Sequence, residues 1–320
     1  MVAEVKSVQE KPSLRDAWRL EILHTVHYYD LLDFPLTIDE LWYAMGSDQE
    51  VSAARPTFQE FSTLLAGDTQ LEQRDDYVFI AGREELINRR ESVYPVKARL
   101  WGRLKWVVAI MRWMPFVRMI ALSGSLALDN SKMNSDIDLF IVGRQGRLWT
   151  TRIFTKLLAI CLGLHRWDSK VSGRFCLNHY VSDSALRLDQ CNLYTARLFS
   201  QLIPVYGFAC YRTFQKENLW VRQFLPRYPW YRFPPFPVMA DGGLMSKVKA
   251  FEEGLLGGRV GDWVEATMAA WQRHHIEQDP RRLSPEAQVV TSEEMLRFHL
   301  QAQEPVVLSS FRQRIAALSL

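Results

Sequence analysis

Ser123-Gly124-Ser125, then nine residues, then Ser135-Asp136-Ile137-Asp138-Leu139: the fold turns on how this stretch is read. The apolar run before it, 116–122, reads as a buried strand, and 136–142 reads as a second. Side chains alternate faces along a strand, so Asp136 and Asp138 project from one face while Ile137, Leu139 and Ile141 point to the other. Two carboxylates held that close repel each other unless a cation sits between them. A hard divalent cation with oxygen ligands and substrate phosphates resolves the repulsion. The Gly-Ser turn before a short helix offers free backbone N–H groups, which favour anions. A metal-holding pair beside a phosphate-holding turn is the outline of a nucleotidyl-transfer site.

The same residues resemble the signature of the polymerase-β-like nucleotidyltransferase superfamily: hydrophobic-Gly-Ser, a gap of about ten, then Asp-hydrophobic-Asp. The quoted positions are Gly124, Ser125, Asp136 and Asp138. The resemblance implies a Mg2+- (or Mn2+-) dependent enzyme that moves a nucleoside monophosphate from a triphosphate such as ATP to a hydroxyl acceptor. The acceptor is a small molecule, a protein or RNA. It implies that Asp136 and Asp138 hold the metals and that the Ser123-Gly124-Ser125 turn, with Ser135, contacts the triphosphate. Gly146–Arg152, Cys176-Leu177-Asn178 and Leu193–Ala196 are similar to features of an uncharacterised bacterial nucleotidyltransferase group with an N-terminal winged helix.

The resemblance also implies a third carboxylate on a neighbouring strand. The expected third strand, 174–181, holds no Asp or Glu. Asn178 stands where that carboxylate is expected; its amide oxygen can ligate a metal but cannot act as a base. Asp183, at the strand's end, is the other candidate. His179 is expected to alternate away from Asn178 as a structural histidine. A second departure lies at Ala127-Leu128-Asp129, where many minimal members carry Ala-Arg-Gly. Asp129 either caps the short helix or binds Lys132. Arg147, Arg152 and Lys156 are the compensating cations, with Arg152 the one assigned to the triphosphate. The alternative function is a catalytically reduced nucleotide-binding module coupled to a winged helix that contacts DNA or a protein partner.

The composition is that of a water-soluble protein. The 320 residues are 48% hydrophobic and 23% charged, and the net charge of +3 is too small to argue for nucleic-acid binding alone. Four cysteines without a CxxC pair argue against a zinc site and read as reduced, mostly buried thiols. No apolar run reaches about twenty clean residues, so no membrane span is expected. The charged stretch 1–12 is no signal peptide, and the expected location is cytoplasmic. His24, His27, His274 and His275 read as surface or core histidines, not ligands.

Along the chain the expectation is an α+β protein. Residues 14–94 read as a winged-helix-like domain of three helices and a hairpin. Leu14, Trp18, Ile22, Thr25 and Tyr29 form one apolar stripe. Thr37 and Glu40 form a capping box, the third helix spans 55–66, and Asp75-Asp76 turns a hairpin. That third helix holds no Lys or Arg beyond Arg55, so a protein partner is favoured over DNA. Residues 95–114 form a helical connector whose basic residues are its solvated side. A nucleotidyltransferase core, a mixed sheet with flanking helices, spans 115–225. Residues 226–243 are a Pro/aromatic linker. Residues 244–320 read as a mostly helical region; 244–278 look helical, with Phe251, Leu255, Trp263, Met268 and Trp271 as the apolar partners.

Overall fold

The computed structural model describes residues 13–47, 54–167, 170–229, 232–300 and 302–318. The chain opens with α1 (Leu14–Asp30), β1 (Leu36–Thr37), α2 (Ile38–Ala44), α3 (Phe58–Ala66), β2 (Leu71–Arg74) and β3 (Tyr77–Ile80). Local chemistry sets these boundaries. Thr37 and Glu40 close a reciprocal capping box on α2, and Thr57 and Glu60 close another on α3. The α3 helix therefore starts at Phe58, and Pro56 precedes the cap rather than sitting in the first turn. β1, β3 and β2 form a three-stranded antiparallel sheet in that order. Trp18, Ile22, Thr25 and Tyr29 are buried, while Leu14 at the end of the stripe is exposed.

Two helices, α4 (Glu85–Ser92) and α5 (Tyr94–Met111), lead to the central sheet. Leu104, Val107, Val108 and Met111 are fully buried. The basic residues here are not a free solvated face; most tie the chain together. Arg83 pairs with Asp30 and Asp33, Arg90 forks onto Glu40 at 2.7 Å, and Lys97 holds Asp129 at 2.9 Å. Asp129 thus binds Lys97 rather than Lys132.

The main sheet is built from β4 (Val117–Ser123), β5 (Ile137–Gly143), β6 (Phe175–Ser182), β7 (Ile203–Tyr206), β8 (Gln288–Thr291) and β9 (Met295–His299), in the order β7-β4-β5-β6-β9-β8. β5 and β6 run parallel and every other pair is antiparallel. Between the strands lie α6 (Gly124–Ala127), α7 (Leu148–Cys161), α8 (Leu193–Ser200), α9 (Phe208–Glu217) and α10 (Val221–Phe224). Alternation divides the core in two. Ile120, Leu122, Ile137, Leu139, Ile141 and Tyr180 join α5 and α7 on one face. Met119, Ala121, Phe140, Val142 and Val181 join α8, α9 and the N-terminal unit on the other. The second cluster is continuous from Ile22 through Phe140 to Phe311, so the N-terminal unit shares its core with the sheet.

The region after 243 is mostly helical, and it also contributes two strands to the sheet. α11 (Gly243–Leu255) and α12 (Gly258–Glu277) are separate helices, broken at Leu256-Gly257. Phe251, Leu255, Trp263 and Trp271 are exposed. The reason is that these helices dock through polar and small groups. Gly261, Ala269 and Gln272 are buried, and Glu265 accepts hydrogen bonds from the Trp149 and Thr150 amides at 2.8 and 2.9 Å. Glu253 accepts two bonds from Arg118 at 2.7 Å, and Lys249 reaches the Val117 carbonyl at 2.9 Å. β8 and β9 then form a hairpin that adds to β6 and covers what would be its open edge. The last helix, α13 (Gln303–Leu318), returns to α1, with Phe311 edge-on to Tyr28 at 5.4 Å and Arg314 bonded to Asp30. Residues 232–242 run over the surface without helix, held by Arg232 on the Ala127 carbonyl at 2.7 Å, Phe233 against Phe208 and Phe236 edge-on to Trp101.

Candidate active site

β4 ends at Ser123, and the chain turns at Gly124 into the single turn of α6. Ser123 lies in register with Asp138 on β5, and Asp138 lies in register with Cys176 on β6. Three neighbouring strands therefore present Ser123, Asp138 and Cys176 in a row, with Asp136 two residues earlier on the same face. Gly124 has φ +67°, and a Cβ built there would lie 2.2 Å from Asp138 Oδ2. The aspartate carboxylate packs directly on the glycine, so the signature glycine is a steric necessity as well as a turn residue.

The two carboxylates converge as the strand alternation predicts. One oxygen each from Asp136 and Asp138 and the Cys176 sulfur lie within 4.8 Å of one another. Arg166, from the loop after α7, donates to Asp136 Oδ2 at 2.6 Å and to Cys176 Sγ at 3.3 Å. Burial, then the Asp136 charge, push the Asp138 carboxyl up to about 7. Burial, then the two carboxylates, push the Cys176 thiol up as well. Burial is the larger cause of both shifts, and the crowding of negative charge adds to it.

The predicted residues are distributed unequally. Ser125 donates to Ser135 Oγ at 3.3 Å, closing the loop between the two halves of the signature, and Ser135 Oγ also accepts from the Lys132 amide at 2.7 Å. Ser123 Oγ donates to the Asp138 carbonyl at 3.4 Å. Asn178 is beside the site but is not opposite Asp138. A register shift between Asp138 and Phe140 puts Cys176 in that place, and Asn178 Nδ2 donates to the Cys176 sulfur at 2.7 Å. The same irregularity breaks the expected alternation at His179, whose ring lies 4.9 Å from Phe140, on the Asp138 side of the sheet. His179 is a core residue there, and burial holds its pKa well below the ordinary value.

Asp183 is not in the site. β5 and β6 are parallel, so the carboxylates sit at the start of the strands and Asp183 beyond their far end, about 23 Å along at strand rise. There it accepts from the Gln145 amide at 2.8 Å. Arg152 also lies elsewhere. Its guanidinium bonds Gln272 and lies 4.3 Å over the Phe298 ring, on the Tyr180 side of the sheet, opposite the carboxylates. Arg147 is taken by Asp262 at 2.7 Å. The cation beside the carboxylates is Arg166, which no spacing in the sequence marks.

The donor set fits one divalent cation between Asp136 and Asp138. The like-charge repulsion that raises Asp138 is what such an ion relieves. The third position offers sulfur in place of a carboxylate oxygen. Residues 104–174 match the nucleotidyltransferase domain family. Over this stretch the chain is similar to nucleotidyltransferase domains. The matched region takes in Gly124, Ser125, both aspartates and Arg166, and it ends just before β6, the strand that departs from expectation. No curated protein and no solved structure matches the chain. Among the described residues, no helix is long and apolar enough to cross a membrane.

Proposed function

We propose that this nucleotidyltransferase-like domain binds a nucleoside triphosphate and a divalent cation and transfers the nucleoside monophosphate to a hydroxyl acceptor. The observation that carries the reading is the convergence of the Asp136 and Asp138 carboxylates against the Gly124 turn, inside the matched stretch. Asp136 and Asp138 would hold the cation. That ion supplies charge neutralisation to the triphosphate and lowers the pKa of the attacking hydroxyl. Ser125 and Ser135, tied to each other, hold the turn and strand in the spacing that faces the phosphates. Arg166 keeps Asp136 oriented and places a guanidinium at the phosphate side. In the transfer the acceptor oxygen would bond the α-phosphorus as its proton leaves to solvent, the α–β phosphoanhydride bond would break, and pyrophosphate would leave.

A second reading, nucleotide binding without turnover, is favoured by one feature. β6 places a thiol and an amide, Cys176 and Asn178, where a carboxylate base would stand. For the N-terminal unit, the order α1-β1-α2-α3-β2-β3 with sheet order β1-β3-β2 supports a winged helix. Its α3 carries Phe58, Glu60 and Phe61 and no Lys or Arg, which suits a protein partner better than duplex DNA.

The test is calorimetric titration with each common nucleoside triphosphate in the presence of Mg2+ or Mn2+, beside the Asp136→Ala/Asp138→Ala variant. Metal-dependent binding that the double variant loses supports the site. Release of pyrophosphate on supplying acceptors then separates transfer from binding alone. An absence of binding to every triphosphate, with Co2+ supplied as well as Mg2+ and Mn2+, refutes both readings.

A further inference from the structure

The third place in the cluster is occupied by a sulfur that the surrounding chain holds in position. Cys176 lies in register with Asp138, and its Sγ is within 4.8 Å of a carboxylate oxygen from each aspartate. Two N–H donors converge on that sulfur from the side: Asn178 Nδ2 at 2.7 Å and Arg166 Nη1 at 3.3 Å. Donors of this kind orient a ligand from outside its coordination shell. Of the four cysteines, Cys161 and Cys191 are exposed and Cys210 is half-buried. Cys176 alone joins a group of possible metal ligands among the described residues.

Ligand chemistry then decides which cation the cluster suits. Mg2+ demands oxygen and retains its waters. Thiolate sulfur favours softer, borderline ions, and Zn2+ and Co2+ accept mixed carboxylate and sulfur sets. We propose that Cys176 is the third ligand of the Asp136–Asp138 cation and that the site takes a thiophilic divalent ion of the Zn2+ or Co2+ class in preference to Mg2+. The inference rests on the reading that the aspartate pair holds a metal. Binding replaces the S–H bond by a metal–sulfur bond, and the proton leaves to solvent. Asn178 is then a positioning residue for the sulfur.

The experiment is a Co2+ titration of the full chain, followed by the near-ultraviolet charge-transfer absorption that a thiolate–cobalt bond produces. The expected result is a band that saturates at one equivalent, resists a large excess of Mg2+, and is lost in Cys176→Ser and in Asp136→Asn/Asp138→Asn. Cys176→Asp should lose the band and allow Mg2+ to compete. Asn178→Ala should keep the band while weakening Co2+ about 10- to 100-fold, and it carries the test with Cys176→Asp if circular dichroism shows Cys176→Ser unfolded. Co2+ binding that depends on the aspartates but shows no band overturns the inference and leaves the proposed function standing. A band that persists in a folded Cys176→Ser variant overturns it too. Failure to bind any divalent ion refutes the inference and the metal-dependent reading together.

Discussion

Replacing Gly124 by alanine tests the site where backbone and ligand meet. At φ +67° the new side chain is strained in any surroundings, and its Cβ falls 2.2 Å from Asp138 Oδ2 and 3.0 Å from Cγ. Ordinary contact begins at 3.4 Å, so the carboxylate must retreat by about 1.2 Å. The left-handed conformation alone costs about 1–2 kcal/mol. A misplacement of about 1 Å at a reacting centre costs roughly a hundredfold in rate, and we expect metal affinity to fall by at least about tenfold, or 1.4 kcal/mol. Gly146→Ala is the control: its φ is +68°, yet a Cβ there meets nothing within 4 Å. Urea unfolding should show similar destabilisation in both variants, and metal titration should show the loss in Gly124→Ala only. Equal metal affinity in Gly124→Ala and the parent, or an equal loss in Gly146→Ala, would refute the reasoning.

Three other expectations follow from particular contacts. Burial, then Arg297, hold His299 down to about 4 from 6.5, and burial, then the neighbouring His299, hold His179 well below its ordinary value. Both are neutral in the fold, so their contribution is complete above about pH 6.5 and is lost as pH falls toward 4. Urea-derived stability should decline across that window, with a shallower slope in His299→Gln; an unchanged slope counts against it. Glu265→Ala removes three hydrogen bonds to the start of α7, from the Trp149 and Thr150 amides and the Thr150 hydroxyl. It should cost about 1–3 kcal/mol by the same method, and a loss within 0.5 kcal/mol or so would sink the docking argument. Arg197 is buried with its guanidinium 4.2 Å over Tyr28, and its Nε, Nη1 and Nη2 meet no acceptor among the described residues. Arg197→Met should match the parent to about 1 kcal/mol or exceed it, whereas Arg197→Ala should lose about 2–4 kcal/mol through the cavity. A Met variant as weak as the Ala variant would show that the charge is essential.

What was legible in the sequence was local. The Thr37–Glu40 box, the 71–80 hairpin and the strand that begins just after Asp136 and carries Asp138 are each written within a few residues, and each forms within a residue of where it is expected. The aspartates converge because period-two alternation requires it. Cys176 was hidden because its position depends on the register between β5 and β6, and the irregularity after Asp138 shifts that register by one residue. A count of forty residues from Asp138, made without that register, lands on Asn178 instead. Arg166 sits in a loop with no period to betray it. β7 was obscured by Pro204, which a strand tolerates here because β7 is at the sheet's edge. The exposed Phe251 and Trp263 misled for a related reason: α11 and α12 turn Lys249, Glu253, Glu265 and Gln272 inward, so their hydrophobic stripe marks the wrong side.

The pairing of α1 with α13 bears on how the chain is made. Asp30 and Arg314 are bonded across a separation of 284 residues, and Phe311 closes over Tyr28 beside them. During synthesis from the N-terminus, this face of α1 stays open until almost the whole described chain has left the ribosome. Although it precedes the other described helices in the chain, α1 is therefore among the last to be completed, and such long-range closure is slow and exposed to aggregation. Nascent chains halted before 303 would carry Tyr28 uncovered, and a chaperone that recognises exposed aromatic side chains would find its target there.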